Sequence, residues 1–95
     1  MKIGIIGIGM LGEAVALNLL NLGHDVVVYN TTKLKTIKVK EKGATVSDSP
    51  KIAADNSELI LIIVKDAIAV REVSFGEEGI IKSKNKELVV ADMST

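Results

Sequence analysis

The chain has no cysteine and no tryptophan, one proline, one histidine, and only two aromatic residues, Tyr29 and Phe75. Without cysteine there is no disulfide scaffold, no thiolate zinc site and no thiol catalysis. The lone His24 provides no cluster for a catalytic metal, and Met1, Met10 and Met93 read as core or loop fillers. Two aromatics make no platform on which the bases of a nucleic-acid strand could stack. Charge of one sign is missing too. Twelve basic and twelve acidic side chains leave a formal net charge of zero, which argues against a polyanion-binding surface. The longest apolar run, residues 59–64, is too short to cross a bilayer. Gly9, Gly12 and Glu13 interrupt the apolar stretch that a secretory signal would need. A soluble cytoplasmic domain is the expectation.

What is present is a folded composition, 47% hydrophobic and 25% charged over 95 residues, enough for one small domain. Residues 2–6 are a β-branched run that reads as a strand buried on both faces. From Leu11 the apolar residues switch to helical spacing, with Leu11, Val15, Leu19 and Leu22 on one face. Gly23 ends that helix, His24 reads as a turn residue, and residues 25–29 read as a second strand, completing a βαβ unit. Thr31 or Thr32 is placed to cap a basic helix that reaches Lys42 and stops at Gly43. Residues 44–46 follow as a third strand, and Ser49-Pro50 opens a small helix. Residues 59–64 read as the fourth strand, Asp66 caps a helix that fades near Gly76, and residues 88–91 read as the fifth strand. Strands apolar throughout, alternating with helices, predict an α/β fold. With right-handed crossovers this is a doubly wound parallel sheet (a Rossmann fold) in the order 3-2-1-4-5, a single domain over residues 1–95.

Between the first strand and the first helix lies Gly7-Ile8-Gly9-Met10-Leu11-Gly12. Three glycines at this spacing, after a strand and opening a helix, suit a dinucleotide pyrophosphate: one for the tight turn, one for close approach, one for helix packing. No Gly-Lys-Ser/Thr triplet is present, so a nucleoside triphosphate loop is a poor fit. At the end of the second strand, where an NAD site usually presents Asp or Glu to the ribose, stands Asn30, followed by Thr31, Thr32, Lys33 and Lys35. An amide, two hydroxyls and nearby ammonium groups favour a 2′-phosphate, hence NADP over NAD, although no arginine sharpens that preference.

The ordered set Gly7-Ile8-Gly9-Met10-Leu11-Gly12, Asn18-Leu19, Gly23-His24, Val28-Tyr29-Asn30-Thr31-Thr32, Gly43-Ala44 and Asp92-Met93-Ser94-Thr95 resembles the β-hydroxyacid dehydrogenases, the family of 3-hydroxyisobutyrate dehydrogenase. The likeness covers essentially the whole chain, as that family's N-terminal NAD(P)-binding domain. It implies that residues 8–12 border the pyrophosphate and that Asn30, Thr31, Thr32 and Lys35 border the adenosine ribose. Val64, Lys65 and Ala69 would line the cofactor's path, Thr95 would neighbour the nicotinamide, and Ser94 would hold the substrate. Members often carry Leu-Pro where this chain has Val64-Lys65, and the NADP-preferring ones often carry Arg in place of Thr31. The resemblance places the catalytic lysine, most substrate contacts and a homodimer interface in a following all-helical domain, so no catalytic residue is expected among these 95. Lys65 reads as a solvated rim residue and Asp92 as a partner of nearby backbone N–H groups. The expected activity is hydride transfer between a nicotinamide and a small β-hydroxyacid or semialdehyde. A second reading, a non-catalytic nucleotide-binding module complete at Thr95, stays open beside it.

Overall fold

The structure, a computed structural model, describes residues 1–94. The β-branched runs form β1 (Lys2–Ile6), β2 (Asp25–Tyr29), β3 (Thr45–Val46), β4 (Leu59–Ile62) and β5 (Val89–Asp92). All four neighbouring pairs are parallel and the strand order is β3-β2-β1-β4-β5, as the alternating pattern predicts.

Successive side chains of a strand point to opposite faces, and here each face has its own core. Ile3 and Ile5 of β1 join Val26 and Val28 of β2 on one side, under α1 (Met10–Asn21) and α2 (Ile37–Glu41), which contribute Ala16 and Val39. Ile6, Val27, Ile60 and Ile62 face the other way, against α3 (Pro50–Asp55) and α4 (Ala67–Phe75), which contribute Ala53, Ala54 and Val73. The helices therefore cover both faces, and the central strands can be apolar at every position.

Three local expectations are corrected. Leu11 and Leu22 do not share the buried face of α1, being 52% and 70% exposed; Gly12 and Ala16 are buried instead. Small residues let the helix lie close on the sheet, and the larger leucines at its two ends are pushed to the flanks. The basic helix is a 3₁₀ turn (Lys33–Thr36) followed by the short α2, and no threonine hydroxyl caps it. Thr36 donates instead to the Lys33 carbonyl at 2.6 Å, a local bond that competes with regular helix. β4 stops at Ile62, two residues early: the Ile63 N–H still bonds the Ile6 carbonyl, but the Val64 N–H takes the Ser94 hydroxyl in place of a strand carbonyl. The expected caps at the other helices are present: Ser49 accepts from the Ile52 N–H and Asp66 from the Ala69 N–H.

Among the described residues no helix is long and apolar enough to cross a membrane. Ile5 is fully buried, paired with Val28 on one side and Leu61 on the other. Ile5→Ala is expected to cost about 2–5 kcal/mol, read as a lower denaturant midpoint with an unchanged slope.

Candidate functional site

β1 sits between strands whose connections leave in opposite directions, so a crevice opens at the carboxyl end of the sheet. The chain enters it under constraint. The Gly7 N–H donates to the Tyr29 carbonyl at 2.8 Å, and the Ile63 N–H donates to the Ile6 carbonyl at 2.8 Å. Gly7 adopts a φ of 104°, where L side chains are strained, and a Cβ there would lie 2.2 Å from the Ile63 carbonyl oxygen. A Cβ on Gly12 would lie 1.9 Å from the Gly7 carbonyl oxygen, so this glycine lets α1 close onto the turn. Gly9 is different. Its φ is −85° and a Cβ would meet nothing within 4 Å. Among the described residues nothing requires a glycine there.

Gly9 faces a cavity of about 560 Å³, and α1 begins beside it with no side-chain cap. The first N–H groups of a helix are unpaired and carry partial positive charge, so this mouth suits an anion. Gly7, Gly12, Met10 and Leu11 complete this wall, with the Met10 side chain 92% exposed. Ile8 is not part of it. Its side chain is buried and it borders a neighbouring groove between α1 and the 3₁₀ turn.

The second wall comes from the end of β2, with Asn30, Thr31, Thr32 and Lys35. Asn30 is already engaged: its Oδ1 accepts from the Ile8 N–H and its Nδ2 donates to the Thr32 carbonyl, both at 2.9 Å. It straps the glycine turn to the turn that follows β2. Lys33, grouped with the cations of this turn on sequence, does not line the cavity and pairs with Asp48 at 2.5 Å. The Lys33 hydrogen bond and charge hold the Asp48 carboxyl below the usual carboxylate range. Lys38 lies 3.8 Å from Glu13. Of Lys33, Lys35 and Lys38, Lys35 is the one that pairs with no carboxylate among the described residues.

The third wall is Val64, Lys65, Ala69 and Ser94, joined by Ile63 and Met93, which sequence reasoning missed. Ile63 lies just past the end of β4, half-buried against the core, and Met93 follows from its place next to Ser94. The Ser94 hydroxyl accepts from the Val64 N–H at 2.9 Å and donates to the Ile62 carbonyl at 3.2 Å. Asp92 accepts from the Ser94 N–H at 2.9 Å, the backbone role expected of it. Thr95 lies outside the described residues. His24 borders a separate groove with Lys2 and Asp25, at the amino ends of the strands. Among the described residues no group of three or more His, Cys, Asp or Glu could hold a metal ion. The cavity's own residues offer an anion cradle, hydroxyls and two lysines, a binding chemistry.

A doubly wound parallel sheet with an uncapped helix opening on a glycine turn at the strand-order reversal is a Rossmann-type dinucleotide-binding domain. Residues 2–95 match the family described as the NAD binding domain of 6-phosphogluconate dehydrogenase, and the chain belongs to that family. It is 36% identical over 93 residues to the 3-sulfolactaldehyde reductase of Escherichia coli, covering 98% of this chain and 31% of that one. It is 32% identical over 93 residues to a Dictyostelium discoideum protein named "Probable 3-hydroxyisobutyrate dehydrogenase, mitochondrial", covering 98% of this chain and 29% of that one. Among solved structures, a reductive aminase from Aspergillus terreus in complex with NADPH and ethyl-5-oxohexanoate superposes with a TM-score of 0.81 at 25% identity, covering 99% of this chain and 31% of that one. The chain thus spans about a third of the length of these proteins, and its kinship with 3-hydroxyisobutyrate dehydrogenase-like oxidoreductases agrees with the sequence motifs.

The glycines separate folding from binding. Gly12→Ala is expected to lower the thermal midpoint by more than about 10 °C, since its Cβ meets backbone. Gly9→Ala is expected to leave the midpoint within about 4 °C and to weaken nicotinamide dinucleotides by about tenfold or more. Thermal melts and titration calorimetry on the two variants check both.

Proposed function

We propose that residues 1–95 are the cofactor domain of an NAD(P)-dependent oxidoreductase. It would move a hydride between a nicotinamide and a small β-hydroxyacid or semialdehyde, with NADP(H) preferred over NAD(H). The observation that carries the cofactor site is Gly9, a glycine whose missing side chain leaves open space beside an uncapped helix terminus. The names of the two relatives, a sulfolactaldehyde reductase and a hydroxyisobutyrate dehydrogenase, support the substrate class. The NADPH in the reductive aminase complex supports the phosphorylated cofactor.

In this reading the N–H groups at the start of α1 hold the pyrophosphate, and Gly9 lets it approach. Thr31, Thr32 and Lys35 take the adenosine side, where their hydroxyls and ammonium can meet a 2′-phosphate. Val64, Lys65 and Ala69 line the path onward, and Ser94 stands at the nicotinamide and substrate end. When bound, the nicotinamide supplies the hydride donor or acceptor. The Ser94 proton is used on the Ile62 carbonyl, while one oxygen lone pair remains beyond the bond from Val64. Ser94 as placed can accept from a substrate hydroxyl; to grip a carboxylate it must first release Ile62.

Proton transfer is assigned to a lysine of a helical domain following these residues, which also supplies the homodimer interface. Lys65 is exposed at the cavity rim, unlike the desolvated, positioned group that acid–base work requires. Calorimetric titration tests the cofactor reading. NADPH is expected to bind about three- to tenfold tighter than NADH, the effect of one partly screened ammonium on a phosphate. Equal or tighter NADH binding removes the preference, and no binding of either removes the site. Turnover of a hydroxyacid by this chain alone would overturn the assignment of the acid–base group elsewhere.

A further inference from the structure

One of the two cations that the sequence places just after β2, Lys33, is turned away from the cavity. Lys33 follows Thr32, whose side chain lines the cavity, yet Lys33 itself pairs with Asp48 and stays outside. Both partners stand on pinned backbone. The Lys33 carbonyl accepts the Thr36 hydroxyl at 2.6 Å. Asp48 lies between two buried serines: Ser47 donates its hydroxyl to the Ser49 carbonyl at 2.7 Å, and Ser49 caps α3. The Ser47 N–H donates to the Val28 carbonyl at 2.8 Å, so Asp48 leaves the sheet at the carboxyl end of β3, beside the turn that carries Asn30, Thr31 and Thr32. The carboxylate is exposed, 79% in its side chain, but its root is fixed.

We propose that Asp48 is a specificity-determining positioning residue: by holding the Lys33 ammonium at the end of β3, it withholds that cation from a cofactor 2′-phosphate. Lys35 is then the one lysine of the turn that faces the adenosine end of the cavity. Asp48 acts through Lys33 without touching the cofactor, and it tempers the preference for NADP(H). An exposed pair of this kind exchanges partners readily, because water and salt screen it. A dianionic 2′-phosphate competes for the same ammonium, and the carboxylate sets how much that competition costs. The inference rests on the cofactor reading above.

The test is the ratio of NADPH to NADH affinity, by calorimetry on this chain. Asp48→Asn is expected to raise that ratio about three- to tenfold, with NADH affinity unchanged within about twofold, and the gain should shrink with added salt. Asp48→Glu, which restores the carboxylate, is expected to keep the ratio near that of the parent. Lys33→Gln added to Asp48→Asn is expected to cancel the gain, because the released cation is then gone. Thermal midpoints should hold throughout, since both side chains are mostly exposed. A ratio unmoved in Asp48→Asn, or a gain that survives Lys33→Gln, overturns this proposal while the cofactor site stands. Failure of the parent chain to bind either dinucleotide overturns both together.

Discussion

Everything at the carboxyl end of the sheet depends on how tightly the turn after β1 is gripped. β1 is central, so its last residues are hydrogen-bonded on both sides, and the turn must leave through a slot between β2 and β4. The slot admits no Cβ at Gly7 and, once α1 has closed back, none at Gly12. Asn30 closes the remaining side by taking the Ile8 N–H. With the turn fixed on three sides, α1 points its unpaired N–H groups across the crevice without any contribution from a ligand. Preorganisation of this kind removes part of the ordering cost that binding would otherwise carry.

The strands were legible because parallel sheets bury both faces, leaving apolar runs such as residues 3–6 and 26–28 with few other homes. Strand order followed from handedness, and with it the end of the sheet where a site must lie. The family resemblance grouped residues as far apart as Gly9, Thr32, Val64 and Ser94, the strand order agrees with it, and one cavity does gather them. Less legible was whatever depends on a particular neighbour. Residues 59–64 read as one strand, yet Ser94 offers Val64 a hydroxyl where a strand would offer a carbonyl, and the strand ends at Ile62. Leu11 and Leu22 fit a helical stripe, but the sheet selects Gly12 and Ala16 for closeness over greasiness.

Charge was the hardest to read. A lysine beside a ribose site counts as attraction only while it is free, and pairing is invisible in a linear sequence. Lys33 and Lys35 are two residues apart and alike on paper. One faces the cavity and the other faces Asp48, fifteen residues downstream on a different strand end. Counting cations therefore overstates the positive field at the adenosine end. Asn30, expected beside the ribose, already uses one lone pair of its oxygen on Ile8 and one amide hydrogen on Thr32. Its substitution would loosen the glycine turn before it removed any contact to a sugar.

These two facts combine into one account of the adenosine subsite. Asn30 presents no carboxylate to repel a phosphate, because its side chain is a strut and a neutral amide serves that purpose. An aspartate there could still accept from Ile8, but it would lose the donor to Thr32 and add a full negative charge to the wall. Under the proposed cofactor reading, the neutral strut would tolerate a 2′-phosphate and Lys35 would attract it. On the same reading, how strongly would depend on Lys33, which is held by Asp48 at the end of β3, outside the cavity wall. The selectivity of such a subsite is a property of two adjacent strand ends considered together, which explains why a motif confined to the end of β2 leaves it undetermined.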